Sequence, residues 1–224
     1  KSGGRETAAF PEKGSLRERA LGEAASTLAF QQGLAWRYAK LMDACGKREH
    51  IFDRVFNFGP LLMDGRVLPP VIRWAGRGVS LGGNGEARSV EASYRIVRPA
   101  AIVTRAPTWR DYLMTGVPET ENRPAILPAT QAEKKAWKRG VTEGWAAGAA
   151  AADELFSVNM NRLVADYRGI LRFRMLARRG MVSLPVLAEG RLAVRVEKRT
   201  LDVGETTFRI SVPAEFRDME NWSA

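Results

Sequence analysis

The chain has 224 residues and a formal net charge of +10, because 35 lysines and arginines outnumber 25 aspartates and glutamates. Hydrophobic residues make up 45% of it, which excludes wholesale disorder and allows a buried core. The single cysteine, Cys45, excludes an intrachain disulfide framework, and no apolar stretch reaches the roughly 18 residues of a membrane-spanning helix. The basic surplus fits either a solvated surface or an acidic partner such as nucleic acid, an anionic membrane or an acidic protein face.

The N-terminal part predicts a flexible segment followed by helix. Residues 1–14 combine glycines, a proline and charges, and we expect them to be flexible. A helical stretch runs from Ser15 to about Phe56, and Ser15-Leu16-Arg17-Glu18 has the pattern of a capping box at its start. Three glycines interrupt this stretch, namely Gly22, Gly33 and Gly46. One long helix and two joined helices are both consistent with it, and Cys45 is interpreted as a small core residue.

The central part predicts a β-hairpin and a short helix. Pro69-Pro70 excludes helix from the surrounding apolar run. Asn84-Gly85 lies between strand-like runs, which is the strongest short-range signal for a hairpin, and 87–98 alternates apolar and polar residues. Thr108 can cap a short helix, and the prolines of 116–129 indicate a stiff connector.

The C-terminal half predicts a long helix and then strands. Thr130-Gln131-Ala132-Glu133 is a capping box, and the helix ends near Arg179, before Gly180. Strand-like runs follow at 182–187, 191–198 and 206–212, and 213–224 forms a C-terminal tail. The order of elements predicts an α+β fold in which two long helices pack against a mainly antiparallel sheet built from the central hairpin and the C-terminal strands. We predict a single domain over 15–212.

A helix-packing seam is predicted from small residues that recur every four positions in the long helix: Gly140, Gly144, Gly148 and Ala152. A helix face without side chains lets another backbone approach closely, and the charged residues around it exclude a bilayer span. We expect the first helix to pack here through Ala20, Ala24 and Ala25. A contact between subunits is the alternative.

Arginines crowd the end of the long helix: Arg162, Arg168, Arg172, Arg174, Arg178 and Arg179. One interpretation is favourable pairing with the negative end of the helix dipole. The other is a docking patch for an acidic partner, formed by Arg168, Arg172, Arg174 and Arg178. Both remain open from the sequence.

The sequence predicts no catalytic residue, no cofactor site and no metal site. His50 is the single histidine, and with Cys45 it cannot form a zinc site; we expect it on a helix surface. Neither a nucleophile elbow nor a phosphate-binding P-loop occurs. We therefore expect a structural or interaction protein rather than an enzyme. The alternatives are a basic nucleic-acid-binding protein and a cell-envelope hydrolase that uses a carboxylate pair.

Several motifs resemble one known family in their order and spacing. Phe56-Asn57-Phe58-Gly59-Pro60-Leu61-Leu62-Met63, followed by Val67-Leu68-Pro69-Pro70-Val71, is the first. Ala106-Pro107-Thr108-Trp109-Arg110-Asp111-Tyr112-Leu113 is the second, and the long helix with its exit Met181-Val182-Ser183-Leu184-Pro185 is the third. From about Leu16 to Pro185 the chain resembles the DotC family, called TraI in conjugative plasmid systems.

The resemblance implies a lipoprotein on the periplasmic face of the bacterial outer membrane, in a type IVB (Dot/Icm) secretion or conjugation apparatus for protein and DNA transport. It implies a non-enzymatic subunit of a ring-shaped core complex, with DotD-like and DotH-like partners and further copies of itself. Neither a cofactor nor a small-molecule substrate is expected, and direct nucleic-acid binding is not implied. The lipid-bearing cysteine is expected upstream of Lys1, since Cys45 lies within a helix.

Overall fold

The computed structural model describes residues 13–81, 87–114, 127–197 and 200–223. The helices are α1 (Lys13–Gly46), α2 (Glu49–Val55), α3 (Trp109–Leu113) and α4 (Gln131–Arg178), with short 3-10 turns at Gly59–Leu61 and Met219–Asn221. The strands are β1 (Val67–Leu68), β2 (Val71–Leu81), β3 (Ala87–Arg98), β4 (Ala101–Ile102), β5 (Val186–Glu197) and β6 (Thr200–Val212). Long helices with separate antiparallel strands confirm the α+β class.

The contacts divide the chain into two compact units. The first unit takes residues up to Glu49 and those from Leu113 to Met160, and the second takes His50–Tyr112 and the residues from Asn161 onward. Because α4 supplies residues to both units, this division does not decide whether 15–212 forms a single domain, which stays a prediction.

Both ends of α4 lie where the sequence predicts them. The Glu133 N–H donates to the Thr130 hydroxyl at 3.2 Å, and the Glu133 carboxylate accepts from the Ala129 N–H at 2.7 Å. The N–H groups of Ala129 and Thr130 lower the pKa of the Glu133 carboxyl. At the other end Gly180 has φ of +69°, the left-handed conformation that closes a helix. The 48-residue helix is thus closed by local signals at both termini.

The first helical stretch forms two helices. α1 ends at Gly46 and α2 begins at Glu49, so the interruption at Gly46 is a real break. The predicted capping box at Ser15 is wrong, because α1 already includes Lys13 and Ser15 lies within the helix. Cys45 is buried near the end of α1, and His50 is exposed on α2, as predicted.

The strands depart from the predicted arrangement. Within the described residues they form three antiparallel pairs, β1 with β4, β2 with β3 and β5 with β6, so one sheet shared by the central hairpin and the C-terminal strands is wrong. The physical reason is that residues 73–78 of β2 are mostly exposed on both faces and that β3 is only partly buried on one face, which leaves no broad apolar face to join a larger sheet. The Asn84-Gly85 turn and most of the 116–129 connector lie outside the described residues.

Two strands, not three, form the C-terminal hairpin. The predicted runs 182–187 and 191–198 merge into β5 from Val186, while Val182 instead makes an isolated antiparallel bridge to Phe216. Local alternation could not reveal this bridge, because Val182 precedes the hairpin, Phe216 follows it, and the two are far apart in sequence.

The second unit has a core where α4 meets the start of β2 and the C-terminal segment. It consists of Ile72, Phe173, Leu176, Val182 and Ala214. Ala214 shows that the segment 213–224, predicted to be a tail, contributes to this core. No described helix contains a stretch that is long and apolar enough to cross a bilayer.

Candidate assembly interfaces

The glycine face of α4 lies directly against the backbone of α1. A Cβ built on Gly144 would lie 2.8 Å from both the Cα and the carbonyl carbon of Ser26. A Cβ on Gly148 would lie 2.8 Å from the carbonyl carbon of Phe30, and one on Gly140 would overlap the carbonyl oxygen of Gly22. Real Cβ atoms are not found closer than 3.0 Å to such neighbours. Only glycine at these positions therefore allows this helix separation.

The two helices run in the same direction. Gly140, Gly144 and Gly148 meet Gly22, Ser26 and Phe30 in that order, so both sequences advance together along the seam. Ala152 continues the face and is fully buried. Of the three alanines expected opposite, Ala25 is buried, whereas Ala20 and Ala24 are exposed. The prediction that Ala20 and Ala24 pack here is therefore wrong, because the contacting ridge of α1 is the one through Gly22 and Ser26.

Polar and aromatic pairs accompany the seam along its length. Arg17 pairs with Glu133 at 2.9 Å, and Arg37 pairs with Asp153 at 2.9 Å. Between them the rings of Trp36 and Trp145 lie 5.5 Å apart. A Cβ on Gly33 would lie 2.6 Å from the Trp145 carbonyl oxygen, so the ring pair also depends on a glycine.

A buried hydrogen-bond chain closes the first unit. The Tyr38 hydroxyl donates to the Leu113 carbonyl at 2.6 Å and accepts from the Asn159 side-chain amide at 3.1 Å. Both side chains are buried, with Tyr38 4% and Asn159 8% exposed. Satisfied polar groups of this kind fix the register of the elements that carry them.

The motif around Trp109 is used for internal contacts in the second unit. The buried Trp109 ring donates through Nε1 to Asp53 at 2.7 Å and contacts the Phe52 ring at 5.0 Å. Asp111 accepts from the N–H and hydroxyl of Thr108 and pairs with Arg105. The Arg105 hydrogen bond is the main cause of the lowered pKa of Asp111. The acceptor at the start of α3 is therefore the Asp111 carboxylate, and the Thr108 hydroxyl, which was predicted to be the cap, donates to it.

A buried charge cluster lies between β3 and α4 within the same unit. Asp166 is 1% exposed, and its Oδ2 accepts from Arg98 Nη2 at 2.6 Å. The Tyr112 hydroxyl interacts electrostatically with both side chains. Burial, together with the negative charge of Asp166, raises the pKa of Tyr112 to about 12. Sequence reasoning missed this cluster, because no local pattern links residues 68 positions apart.

The raised pKa of Tyr112 gives an expected alkaline instability. The native state holds the phenolic proton to about pH 12, whereas an unfolded tyrosine loses it near its ordinary value of 10. Tyr112 therefore makes its full contribution to the free energy of unfolding below pH 10. This contribution is lost between pH 10 and 12, by at most about 1.4 kcal/mol per pH unit for one proton. Urea denaturation at pH 9 and pH 11.5 measures this fall. Tyr112→Phe is expected to show a smaller fall, and equal falls in both proteins would refute the linkage.

The predicted arginine patch separates into anchored and exposed members. Arg172 donates to the Ile72 carbonyl at 2.9 Å, and Arg174 donates to the Pro60 carbonyl at 2.7 Å. Arg168 and Arg178 are exposed. Two arginines therefore hold the structure of this unit together, and the other two are available at its surface.

The β2–β3 hairpin carries two arginines directly opposite each other. Arg73 pairs in register with Arg95, and next to them Trp74, which is 54% exposed, pairs with Tyr94. Like charges opposite one another destabilise a hairpin. Neither arginine forms an ion pair with another described residue, so their charge is available to an external anion.

The described residues contain no group of three or more histidine, cysteine or acidic side chains that could hold a metal ion. Burial raises the pKa of the Cys45 thiol, which disfavours the thiolate that nucleophilic chemistry needs.

A comparison with curated protein sequences gave no match. A comparison with protein families gave a match over residues 15–224 to the TraI family of type IV secretion, described as "type IV secretory system, conjugal DNA-protein transfer". The match extends beyond Pro185 and includes the C-terminal hairpin and the segment after it. The chain belongs to this TraI family of type IV secretory systems.

Proposed function

We propose that the chain is a non-enzymatic scaffold subunit of the outer-membrane core complex of a type IVB secretion or conjugation apparatus. In this proposal it lies on the periplasmic face of the outer membrane, held by an N-terminal lipid, and assembles in a ring with DotD-like and DotH-like subunits. Family membership supports the secretion context. The resemblance to DotC supports the finer location and partners.

The observation that carries the proposal is how the family motifs are used. Trp109, Phe58 and Leu113 are each at most 1% exposed, and their contacts are internal. Motif residues that are buried in packing contribute to the shape of the subunit, and this use of the motifs supports a scaffold role. The outward surfaces carry exposed arginines and apolar side chains, which are suited to protein contacts.

The proposal is tested in the native host by deleting the gene and measuring conjugal transfer per donor cell. Transfer is expected to fall below detection and to return with the wild-type gene. An affinity-tagged copy is expected to co-purify from solubilised outer membranes in a ring-shaped particle visible by electron microscopy. Undiminished transfer in the deletion strain, or a tagged chain recovered only as monomer, would refute the proposal.

A second candidate function, nucleic-acid binding, is favoured by the Arg73–Arg95 pair beside Trp74. Arginines that contact phosphates, with an aromatic ring for base stacking, are typical of single-strand binding. Fluorescence anisotropy with single-stranded DNA at several salt concentrations tests this. For this candidate we expect the slope of log K against log salt to fall by about 1.4 in Arg73→Ala/Arg95→Ala, at about 0.7 per phosphate contact. Absence of binding at low salt would remove the candidate.

A further inference from the structure

A groove in the second unit combines apolar walls with arginines. Two adjoining hollows, of about 510 and 320 Å³, share Arg174 and Arg178 as lining residues. We call this surface the basic groove and define it by Leu62, Leu171, Arg174, Met175, Arg178 and Leu184. Asp64 is the one acidic side chain among the described residues that line either hollow, so an incoming carboxylate meets a positively charged surface there.

The arginines of the basic groove are positioned for a carboxylate. Arg174 uses one guanidinium nitrogen on the Pro60 carbonyl, which fixes the side chain and leaves its other N–H groups available. Arg178 and the neighbouring Arg179 are exposed and form no ion pair with another described residue. Leu171 and Met175 are each 43% exposed and supply apolar contact area beside these charges.

A complementary surface lies in the C-terminal segment of the same unit. We call it the acidic ridge and define it by Glu215, Phe216, Asp218, Met219, Glu220 and Trp222; one exposed cation, Arg217, lies among them. Its apolar members are exposed, with Met219 at 76% and Trp222 at 46%, and its three carboxylates form no ion pair with another described residue. The Ser223 N–H donates to the Arg179 carbonyl at 2.9 Å, so the ridge is anchored by its backbone.

We propose that the acidic ridge of one copy of this chain docks into the basic groove of the next copy. The groove offers arginines and apolar walls, and the ridge offers carboxylates and protruding apolar side chains. Within one chain no ion pair between described residues joins the two surfaces, and Ser223, at the end of the ridge, reaches only the carbonyls of Arg178 and Arg179, which leaves their guanidinium groups available to a neighbour. Buried aromatic and arginine side chains dominate the energetics of such contacts. A ridge that docks into the groove of the next copy in one direction only makes a heterologous contact, which closes into a ring when the rotation permits, whereas a reciprocal exchange of ridge and groove between two copies makes a closed dimer.

Charge exchange between the two surfaces tests the contact. The purified wild-type chain is expected to self-associate in sedimentation velocity and mass photometry. Arg178→Glu/Arg179→Glu and, separately, Asp218→Arg/Glu220→Arg are each expected to weaken association about tenfold or more. An equimolar mixture of the two variants restores the opposite charges at one contact and is expected to form heterodimers. The chain that carries all four substitutions is expected to regain association to within about threefold of wild type.

Arg168→Glu is the matched control, because Arg168 is an exposed arginine of α4 that does not line the groove. Its association is expected to equal that of wild type, and far-UV circular dichroism of every variant checks folding. The contact would be overturned if the wild-type chain stays monomeric or if the two double charge reversals leave association unchanged. It would also be overturned if the quadruple variant associates as weakly as either double variant. A closed dimer with the same rescue supports the contact and overturns its role in a ring.

This inference rests on the proposed scaffold function, and the experiments distinguish a failure of the ridge–groove contact from a failure of the scaffold function. If the chain enters the core complex and supports transfer while the charge reversals leave association unchanged, the ridge–groove contact is wrong and the scaffold function stands. If the charge exchange behaves as expected but the chain is absent from the core complex, the scaffold function alone is wrong.

Discussion

Replacement of Gly144 by leucine is expected to abolish the packing of α1 on α4. The first added carbon already meets the Ser26 backbone at 2.8 Å, and backbone atoms cannot rotate away as a flexible side chain does. The helices must therefore separate, and the neighbouring contacts at Gly140 and Gly148 are lost with them. Overpacking of a core costs about 1–3 kcal/mol and occasionally more, and we place this change at or above about 3 kcal/mol. Urea denaturation followed by circular dichroism at 222 nm measures it.

The smaller change Gly144→Ala separates packing from helix propensity. Alanine in a helix interior is favoured over glycine by about 1 kcal/mol, so an uncrowded site would be stabilised. At Gly144 we expect destabilisation instead, because the clash occurs at the first side-chain carbon. Gly46→Leu is the matched control, since an added Cβ at Gly46 meets nothing within 4 Å. We expect its stability to change by no more than about 0.5 kcal/mol. Wild-type stability in both Gly144 variants would show that the helices are not held at this separation.

The sequence predicted the glycine face of α4 but not the face of α1 that meets it. The spacing of four residues identifies Gly140, Gly144 and Gly148, because residues four positions apart lie on the same face of a helix. The partner ridge depends on the crossing geometry of two helices, which no local pattern records. Gly22 and Gly33 carried the missing signal, since glycine in a helix interior is costly unless close packing requires it. From the sequence alone the same glycines indicate only interruptions of the helix.

For the β-hairpins too, the sequence predicts the individual strands but not which strands share a sheet. Alternating residues predicted a strand at 87–98, and Val90, Tyr94 and Ile96 are indeed less exposed than the polar residues between them. Whether two hairpins share a sheet is decided by which edges meet in space. Alternation along one strand does not contain that information. Proteins with several hairpins therefore need long-range contacts before their sheet order can be predicted.

The charge cluster of Arg98, Asp166 and Tyr112 could not be found from the sequence. An aspartate within a long amphipathic helix is normally a solvent-facing residue. Asp166 is instead 1% exposed, because Arg98 lies beside it. Two of the four arginines predicted to dock partners are likewise anchored to carbonyl oxygens. Charge composition indicates a basic surface, and only the fold separates the charges that stabilise the unit from those left for partners.

Removal of Arg98 is expected to destabilise the second unit more than removal of Asp166. The two side chains form one pair but are buried unequally: the Arg98 side chain is 37% exposed and the Asp166 side chain 1%. Arg98→Ala leaves a carboxylate buried without its cation, which costs about 3–5 kcal/mol when a buried pair is broken. Asp166→Ala leaves a guanidinium that water can partly reach, and the expected loss is about 2 kcal/mol, the scale of one unsatisfied polar group.

Urea denaturation of both single variants and of the double variant Arg98→Met/Asp166→Leu tests this order. The double variant replaces the pair by apolar side chains and leaves no unpaired charge, so its loss is expected to be smaller than the sum of the single losses. Asp166→Asn is the conservative control, because the amide preserves the shape and one acceptor for Arg98. If the losses add, or if Asp166→Ala proves the costlier single change, the pair contributes through surface attraction rather than burial. Such a result would mean that the Asp166 carboxylate is hydrated, which contradicts its 1% exposure in the structure.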